Sequence, residues 1–484
     1  MSVPFATAGL WMLVVLAILI IGTGLPVWVL LIGTASLFAA GGILVGAMDW
    51  GVLNAIASRT LGLLDQDLLQ ALPLFVFIGV LLQRLPVADA LFSSLASVFG
   101  RTGAGTSIAA FGVGALVAPM NGSVASSSAL LARLVAPRLG QIDAAAATAL
   151  ISASATIGVV VPPSLVLILL GDAMLRAHTE ASNLPGYVLG TTRIINTQDV
   201  FHAALLPAAT VLVLWLSVAW WQGRKFKSQQ TAAPVSKFQL ALALVVTCAT
   251  LVLLVGVFVG EIFAVEAAAT GGVLLVCASV ATHALNWSQW RSVLEDTLSL
   301  SGALLALLVG ATTFSLVFRL WGTDTWISNT LLASALSPLV TSALVLLLVG
   351  MCAWVLDAFE MIFVIIPIIA PPLIARLGDA QQTAVLLLLV LQLSFLIPPM
   401  GYAVMMARAK SGLVNTSMWS TLQALLPYIA VQCAVTAMVF AMPWTVHQFD
   451  TAAEAIAAPI SAQDLEQQMR EMSNPGSPPE AKNP

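Results

Sequence analysis

A cluster of small polar side chains interrupts an apolar stretch at MNGSVASSS, Met120 to Ser128, and a second polar segment, TALISASATIGVVVPPS, runs from Thr148 to Ser164. Hydroxyls and main-chain carbonyls suit sodium, whereas the N-termini of short helices suit a carboxylate. Serine and glycine also let helices pack closely, and for any single serine this is the simpler interpretation. For the whole cluster beside a double proline, we favour an ion site.

A second group of polar residues occurs later in the chain. Asp357 and Glu360 lie in an otherwise apolar run, where carboxylates are costly and usually functional. The alternative is that both lie at the end of a hairpin and reach water. Gln392 and Ser394 precede a second double proline, which begins at Pro398. We interpret them as the counterparts of the first polar segment.

Other chemistry lacks the residues that it needs. The chain contains no HExxH motif and no GxxxxGK[ST] motif, so neither a zinc protease nor a nucleotide hydrolase is indicated. No histidine or lysine in the polar segments could activate a serine nucleophile. The histidines are scattered near the ends of apolar runs: His178, His202, His283 and His447. We therefore expect neither an enzyme nor an organic cofactor.

The composition requires a membrane. The chain has 484 residues, of which 60% are hydrophobic and 8% are charged, whereas soluble proteins carry about 25% charged residues. The apolar runs are about as long as the roughly 20 residues that cross a bilayer, and they recur to within a short distance of the C-terminus. These features predict a polytopic all-α membrane protein.

Four apolar runs contain interruptions. Runs 103–139 and 336–376 are too long for one span and contain polar residues, which predicts a re-entrant hairpin in each. Runs 142–175 and 380–407 contain the double prolines, and proline removes a backbone donor and clashes with the preceding turn. We therefore expect two broken helices, whose unpaired backbone must face protein or a polar cavity.

An internal repeat relates these features. Asn121 and Asp357, at the predicted hairpin tips, have the same separation as Pro162 and Pro398. We expect each half to contain five spans and one hairpin, which makes ten spans in total. Because five is an odd number, the second repeat should be inverted relative to the first. Amphipathic arms are expected at 50–62 and 287–297. The predicted domains are a first repeat at 1–222, a linker at 223–237, a second repeat at 238–446 and a polar tail at 447–484.

The charges suggest an orientation. The linker carries Arg224, Lys225, Lys227 and Lys237, which the positive-inside rule places in the cytoplasm. With the linker inside, both termini fall outside. The arginines expected on the outer side are Arg59, Arg176, Arg193, Arg319 and Arg376.

The sequence resembles the large membrane subunit, of DctM type, of TRAP transporters, the tripartite ATP-independent periplasmic systems. The resemblance rests on ALPLFVFIGVLLQRLPVADALFSSLASVFGR (71–101), NGSVASSSALLARL (121–134), ATIGVVVPPSLVLILLGD (155–172), LDAFEMIFVIIPII (356–369) and SFLIPPMGYAV (394–404). It extends in order over about 1–446. It implies the elevator fold of the ion-transporter superfamily, with inverted repeats, two re-entrant hairpins and two broken helices.

The resemblance also implies a function. Such subunits reside in the bacterial inner membrane and work with a small four-helix membrane subunit and a periplasmic substrate-binding protein. They import small organic acids with sodium as the coupling ion, by an elevator-like motion of the hairpin-bearing domain. Many relatives have Gly-Ser-Ser at the first tip where this chain has Asn-Gly-Ser, so a backbone carbonyl would serve there.

Carried onto this sequence, the resemblance implies a set of site residues. The expected sodium-binding residues are Asn121, Gly122, Ser123, Thr156, Gly158, Pro162, Asp357, Gln392, Ser394 and Pro398. The hydroxyls expected to contact the substrate are those of Ser126, Ser154 and Ser164.

Two alternatives remain open at this point. A carrier of the same superfamily that needs no binding protein would transport substrate as this chain alone. A channel, which broken-helix repeats could also line, would give currents instead of saturable, sodium-dependent flux. The substrate itself is not encoded here, because in this family the binding protein largely sets specificity.

Overall fold

The structure is a computed structural model that describes residues 7–64, 68–99, 103–119, 123–138, 143–162, 164–185, 187, 194–224, 236–353, 356–398, 401–412 and 417–450. Every regular element within these ranges is helical. Most of the predicted linker, and the predicted tail beyond Asp450, lie outside the described residues.

The described residues of the first half form ten α-helices. They are α1 (Ala8–Thr23), α2 (Val27–Leu44), α3 (Gly51–Leu64), α4 (Leu68–Arg84), α5 (Val87–Val98), α6 (Gly103–Val117), α7 (Val124–Val135), α8 (Ala144–Val160), α9 (Leu165–Ala181) and α10 (Thr197–Gly223). Helices α6 and α7 occupy the predicted first hairpin. Helices α8 and α9 are bent by 44° relative to each other at the double proline. Helices α4 and α5 are also bent relative to each other, by 65°.

The second half has the same order of helices, except that a single long helix takes the place of α3 and α4. Its helices are α11 (Lys237–Val259), α12 (Ala264–Ala281), α13 (Trp287–Leu320), α14 (Thr323–Leu332), α15 (Pro338–Cys352), α16 (Ala358–Glu360), α17 (Ile366–Leu377), α18 (Ala380–Ser394), α19 (Tyr402–Ser411) and α20 (Met418–Ala441). A single π-helical turn, Met361–Ile365, joins α16 to α17. Such turns occur often at functional sites.

The predicted arms differ between the two halves. Helix α3 covers the arm at 50–62, but the arm at 287–297 is the beginning of the 34-residue helix α13, which continues into a span. The sequence of α13 contains no proline, so nothing forces its hydrogen-bond ladder to break between arm and span. The second arm therefore forms one continuous helix with the span that follows it, and its position along the membrane interface stays a prediction.

Long apolar helices confirm a polytopic membrane protein. Within the described ranges, six helices are long and apolar enough to cross a membrane, or eight if each bent pair is one span. The hairpin arms and the broken helices supply shorter apolar helices. The predicted total of ten spans and the division into two inverted repeats stay predictions.

The broken helices lie at the centre of the molecule. Every residue of α8 from Ala147 to Val160 is buried, and α18 is buried almost as completely. The closing helices α10 and α20 hold them from outside, where the Trp215 indole donates a hydrogen bond to the Tyr428 carbonyl over 3.0 Å. A helix that is apolar all round belongs either in a packed core or in a membrane.

Candidate functional site

Gly158 is where the first hairpin meets the first broken helix. A Cβ at this position would lie 2.5 Å from the carbonyl carbon of Ala118 and 2.7 Å from the nitrogen of Pro119. Both atoms belong to the backbone, which cannot rotate away as a side chain can. The end of α6 therefore rests directly on α8 because residue 158 has no side chain.

A small cavity lies beside this contact, between the hairpin and the break. Its volume is about 10 Å³, and its walls include Ser123, Ser127 and Ser164 together with Gly158. A cavity of this size holds roughly one water-sized particle. The structure thus brings together three predicted residues, Ser123, Gly158 and Ser164, around a space for one small ligand.

Four helix ends converge on this cavity. Helices α6 and α8 end there, and α7 and α9 begin there, at Val124 and Leu165. C-terminal ends present carbonyl oxygens and N-terminal ends present N–H groups. The junction can therefore offer carbonyls to a cation and N–H groups to an anion.

Ser164 closes the beginning of α9. Its hydroxyl accepts a hydrogen bond from the N–H of Leu167 and donates one to the carbonyl of Val159, both over 3.1 Å. This side chain therefore ties the two halves of the broken helix together. Ser123 occupies the same cap position before α7, but its hydroxyl makes no capping hydrogen bond.

The hydroxyls inside α8 bond to their own helix. Ser154 donates to the Leu150 carbonyl over 2.6 Å, and Thr156 donates to the Ala153 carbonyl over 3.0 Å. Such back-bonding satisfies a buried hydroxyl without any ligand. The main chain at Ser154 is in close contact with α6, because a Cβ on Gly114 of that helix would lie 2.3 Å from the Ser154 carbonyl oxygen.

Ser126, on the first turn of α7, accepts a hydrogen bond from the side-chain amide of Gln83 at the end of α4. Arg133, further along α7, donates to the main-chain carbonyl of the same Gln83 over 3.0 Å. Two residues of the hairpin are thus bound to one residue of α4. The structure places Ser126 at a boundary between the hairpin and α4.

The second tip is organised by its own carboxylates. Asp357 is the cap residue before α16, and the Glu360 carboxylate accepts a hydrogen bond from the Asp357 N–H over 3.1 Å. This reciprocal arrangement is a capping box. Both groups lie close enough to Tyr402, at the beginning of α19, to interact electrostatically with its hydroxyl. The second tip therefore faces the second break of its own half.

Gln392 joins the two halves. Its carboxamide donates to the Thr156 carbonyl over 3.3 Å and accepts from the Gln432 amide over 2.8 Å. Gln432, on α20, also donates to the Leu389 carbonyl over 3.1 Å, and all three polar side chains are fully buried. The structure thus brings the predicted residues Thr156 and Gln392 together.

The second break is lined by carbonyl oxygens. A Cβ on Gly401 would lie 2.8 Å from the oxygens of both Phe395 and Ile397. Ser394 donates to the Leu391 carbonyl of its own helix over 2.7 Å, and Pro398 is partly buried beside the break. Pro162 occupies the equivalent place beside the first break and is buried.

The hairpins and breaks also interlock between the halves. Helix α19 packs against α7 and α8, and α9 packs against α17. One hydrogen bond marks the first of these contacts, from the Ser152 hydroxyl to the Ala403 carbonyl over 3.4 Å. Each broken helix therefore supports the hairpin of the other half as well as its own.

Two predicted residues, Asn121 and Gly122, lie outside the described residues. Sequence reasoning missed Gln83, Gln432 and Gly401. Gln432 carried a usable signal, because an amide in the middle of an apolar span is costly and needs a partner. Gln83 and Gly401 gave no such signal, since their roles depend on residues distant in the chain.

The comparisons with known proteins agree with this architecture. The family model described as "Tripartite ATP-independent periplasmic transporter, DctM component" matches residues 12–445. The sialic acid TRAP transporter large permease protein SiaM of Vibrio cholerae is 23% identical over 78% of this chain and 84% of its own length.

Two further proteins are similar over long stretches. The isethionate TRAP transporter permease protein DctMQ of Oleidesulfovibrio alaskensis is 21% identical over 86% of this chain, which spans 62% of that relative's length. The crystal structure of the YdaH transporter of Alcanivorax borkumensis, described as having an unusual topology, matches with a TM-score of 0.61 at 13% identity, over 91% of this chain and 99% of that one. The latter likeness concerns the fold alone.

Proposed function

The chain belongs to the DctM component family of tripartite ATP-independent periplasmic transporters, and from this premise we propose that it imports a small organic acid together with sodium. It is a large permease subunit, a transporter and not an enzyme. The observation that carries the sodium proposal is the small cavity at the first hairpin tip. Its serines and converging helix ends supply oxygen ligands from two elements at once.

Sodium would couple the tip to the break. An ion that has lost its water at mid-membrane needs several oxygens, and neither the tip nor the break supplies them alone. Binding would hold Ser123 and its neighbours against α8, at the contact that Gly158 permits. The substrate site between the two halves would then be complete, so the affinities for sodium and for substrate would depend on each other.

The proposed second sodium site lies at the other tip and break. Asp357, Gln392, Ser394 and Pro398 are the residues assigned to it. The Phe395 and Ile397 carbonyls near Gly401 accept hydrogen bonds from the N–H groups of Ala403 and Gly401, and the second lone pair of each oxygen would be the one that binds sodium. In this proposal Gln392 has a second role, because its hydrogen bond also holds the Thr156 carbonyl of the first half in place.

The substrate class is proposed from the relatives. The two relatives described above are named for sialic acid and for isethionate, both of which are organic anions at neutral pH. A periplasmic binding protein would deliver such an acid, and a small four-helix membrane subunit would accompany this chain. The hairpins and broken helices would move together against the remaining helices, as in an elevator.

The test is uptake into proteoliposomes that contain this chain and its small membrane subunit, with the cognate binding protein outside. The labelled substrate is the small molecule that mass spectrometry finds in the purified binding protein. We expect saturable uptake that requires sodium and the binding protein. Ser123→Ala should raise the sodium concentration for half-maximal uptake at least about fivefold. Ser217→Ala, whose hydroxyl bonds only to its own helix on α10, is the matched control.

Three outcomes would contradict the proposal. Uptake by this chain alone would indicate a self-sufficient carrier. Unitary currents would indicate a channel. Equal uptake with protons or with no ion gradient would remove sodium from the mechanism.

A further inference from the structure

A charged cavity lies apart from the hairpin tips, between α3, α9 and α13. Its volume is about 450 Å³, which is within the range of small-molecule sites. Its walls include three arginines, Arg59, Arg176 and Arg319, and two acids, Asp172 and Glu180. Among the residues that the structure describes, the walls therefore carry one arginine more than they carry acids.

The ion pairs show which arginine supplies that excess. Arg319 forms a two-point ion pair with Glu180, with one of its contacts at 2.8 Å. Arg176 pairs with Asp172 over 3.0 Å, one helical turn away. Arg59, on the arm α3, has no carboxylate within ion-pair distance among the residues that the structure describes. Arg59 is an exposed residue, and its guanidinium interacts electrostatically with Arg319, Glu180 and Arg176.

The cavity also borders the second hairpin. Ile362 and Phe363, in the π-helical turn that follows the second hairpin tip, form part of its wall. The turn begins at Met361, directly after Glu360 of the capping box. A ligand in the cavity would thus lie against the second hairpin.

The location suits a substrate arriving from outside. If the linker is cytoplasmic, as the positive-inside rule predicts, Arg59, Arg176 and Arg319 lie on the outer side of the membrane, where a periplasmic binding protein would release its cargo. A guanidinium that has no carboxylate partner among the described residues and that lines a partly open cavity favours an anion, and arginine is suited to bind a carboxylate at two points. The competing interpretation is that Arg59 reaches a lipid headgroup, as arginines near helix ends often do.

We propose that this cavity is an entry site, in which Arg59 binds the carboxylate of the organic acid before it reaches the hairpin tips. The inference rests on the proposed function, since it assumes that an organic anion is transported. It predicts a preference for small acids with a single negative charge, because one charge neutralises the cavity. Arg176 and Arg319 form the ion pairs with Asp172 and Glu180, which leaves Arg59 without an ion-pair partner among the described residues.

The test measures the cavity's charge without requiring transport. Ser315 lines the cavity on α13, and Ser315→Cys would be introduced into a chain whose native cysteines are replaced by alanine. Those cysteines are Cys248, Cys277, Cys352 and Cys433. Labelling rates in phosphatidylcholine vesicles would be compared for an anionic reagent, 2-sulfonatoethyl methanethiosulfonate, and a cationic one, 2-(trimethylammonium)ethyl methanethiosulfonate.

We expect the anionic reagent to react faster, and Arg59→Gln to lower the ratio of the two rates by about fivefold or more. Arg59→Lys should preserve most of the ratio, which separates loss of charge from misfolding. Arg291→Gln is the matched control, because Arg291 lies on the other arm and pairs with Glu295 over 2.8 Å, away from the cavity. Excess lactate should slow the anionic reagent, whereas neutral glycerol should not.

Several results would overturn the proposal. They are equal rates for the two reagents, a ratio that Arg59→Gln leaves unchanged, and labelling that lactate does not slow. A preference that disappears when phosphatidylglycerol is added to the vesicles would assign Arg59 to lipid headgroups. Sodium-independent uptake would contradict the proposed function but leave the labelling ratio intact, so the two failures are distinguishable.

Discussion

The side chain of Gln392 and the main-chain carbonyl of Thr156 form a hydrogen bond of 3.3 Å, and the two residues are 236 positions apart. Helices α3 and α4 span 51–84 and α13 spans 287–320, which is the same offset at both ends. The bond therefore joins equivalent positions of the two halves. If a two-fold axis relates the halves, as the sequence predicts, this bond lies close to it. A movement of either residue would then act directly on the other half.

The first prediction concerns this bond. Gln392→Ala removes the hydrogen bonds to the Thr156 carbonyl and from the Gln432 amide, which keeps its bond to the Leu389 carbonyl, and a buried hydrogen bond between membrane helices contributes about 1 kcal/mol. We expect a lower melting temperature and a sodium requirement for uptake raised at least about fivefold. Gln432→Leu, which removes the support of Gln392 but leaves Gln392 itself in place, should act in the same direction and more weakly. Wild-type sodium dependence in both variants would show that the network is structural only.

The second prediction concerns the contact between hairpin and break. Gly158→Ala places a methyl group 2.5 Å from the Ala118 carbonyl carbon, so the tip must move away from α8. Uptake should fall at least about tenfold at low sodium, because displaced ligands bind the ion more weakly. Gly302→Ala is the control, since nothing lies within 4 Å of its added Cβ and alanine favours a helix over glycine by about 1 kcal/mol. Normal uptake by Gly158→Ala would remove this contact from the sodium site.

The third prediction concerns which parts move. Gln83 on α4 binds Ser126 on the hairpin, whereas its neighbour Arg84 binds Asp296 on α13 over 2.6 Å. A disulfide between Gln83→Cys and Ser126→Cys would fix the hairpin to α4 and should stop uptake until it is reduced. A disulfide between Arg84→Cys and Asp296→Cys would join two helices assigned to the static part and should leave uptake intact. The reverse pattern would refute the assignment.

The fourth prediction concerns pH. His447 lies after the last long helix, and its protonated ring donates hydrogen bonds to the Asp379 carboxylate over 2.8 Å and to the Asp450 carboxylate over 2.7 Å. The hydrogen bond to Asp379, more than any other factor, raises the pKa of His447 to about 9. A raised pKa in the folded state means that the protonated form is stabilised by folding. Its contribution is fully present below about pH 6.5, the usual histidine pKa, and is lost as the pH rises through about 9.

The measurement is the melting temperature between pH 6 and pH 10. The wild type should lose stability over this interval relative to His447→Gln, which has no such titration. His283→Asn is the control, because His283 is exposed and has a positive φ of 48° that asparagine tolerates. Parallel profiles for the wild type and His447→Gln would contradict the prediction.

The sequence by itself determined the class of protein and its family. Few charges and repeated apolar runs require a membrane, because no soluble fold could cover that much apolar surface. The double prolines at Pro162 and Pro398 determined where helices break, since proline acts on the backbone of its own turn. The fold class and the family were confirmed, whereas the sodium site, the substrate contacts and the domain bounds stay predictions.

Only the tertiary structure decided which groups meet. The pairing of Gln392 with Thr156, the contact of Gly158 with Ala118, and the position of Ser126 against Gln83 all join residues far apart in the chain. A local pattern does not encode such contacts, because they depend on how the helices cross and on which face each one turns inward. The same holds for Arg59, which has no carboxylate partner among the residues that the structure describes. This follows from where Glu180 and Asp172 find their partners in the folded chain.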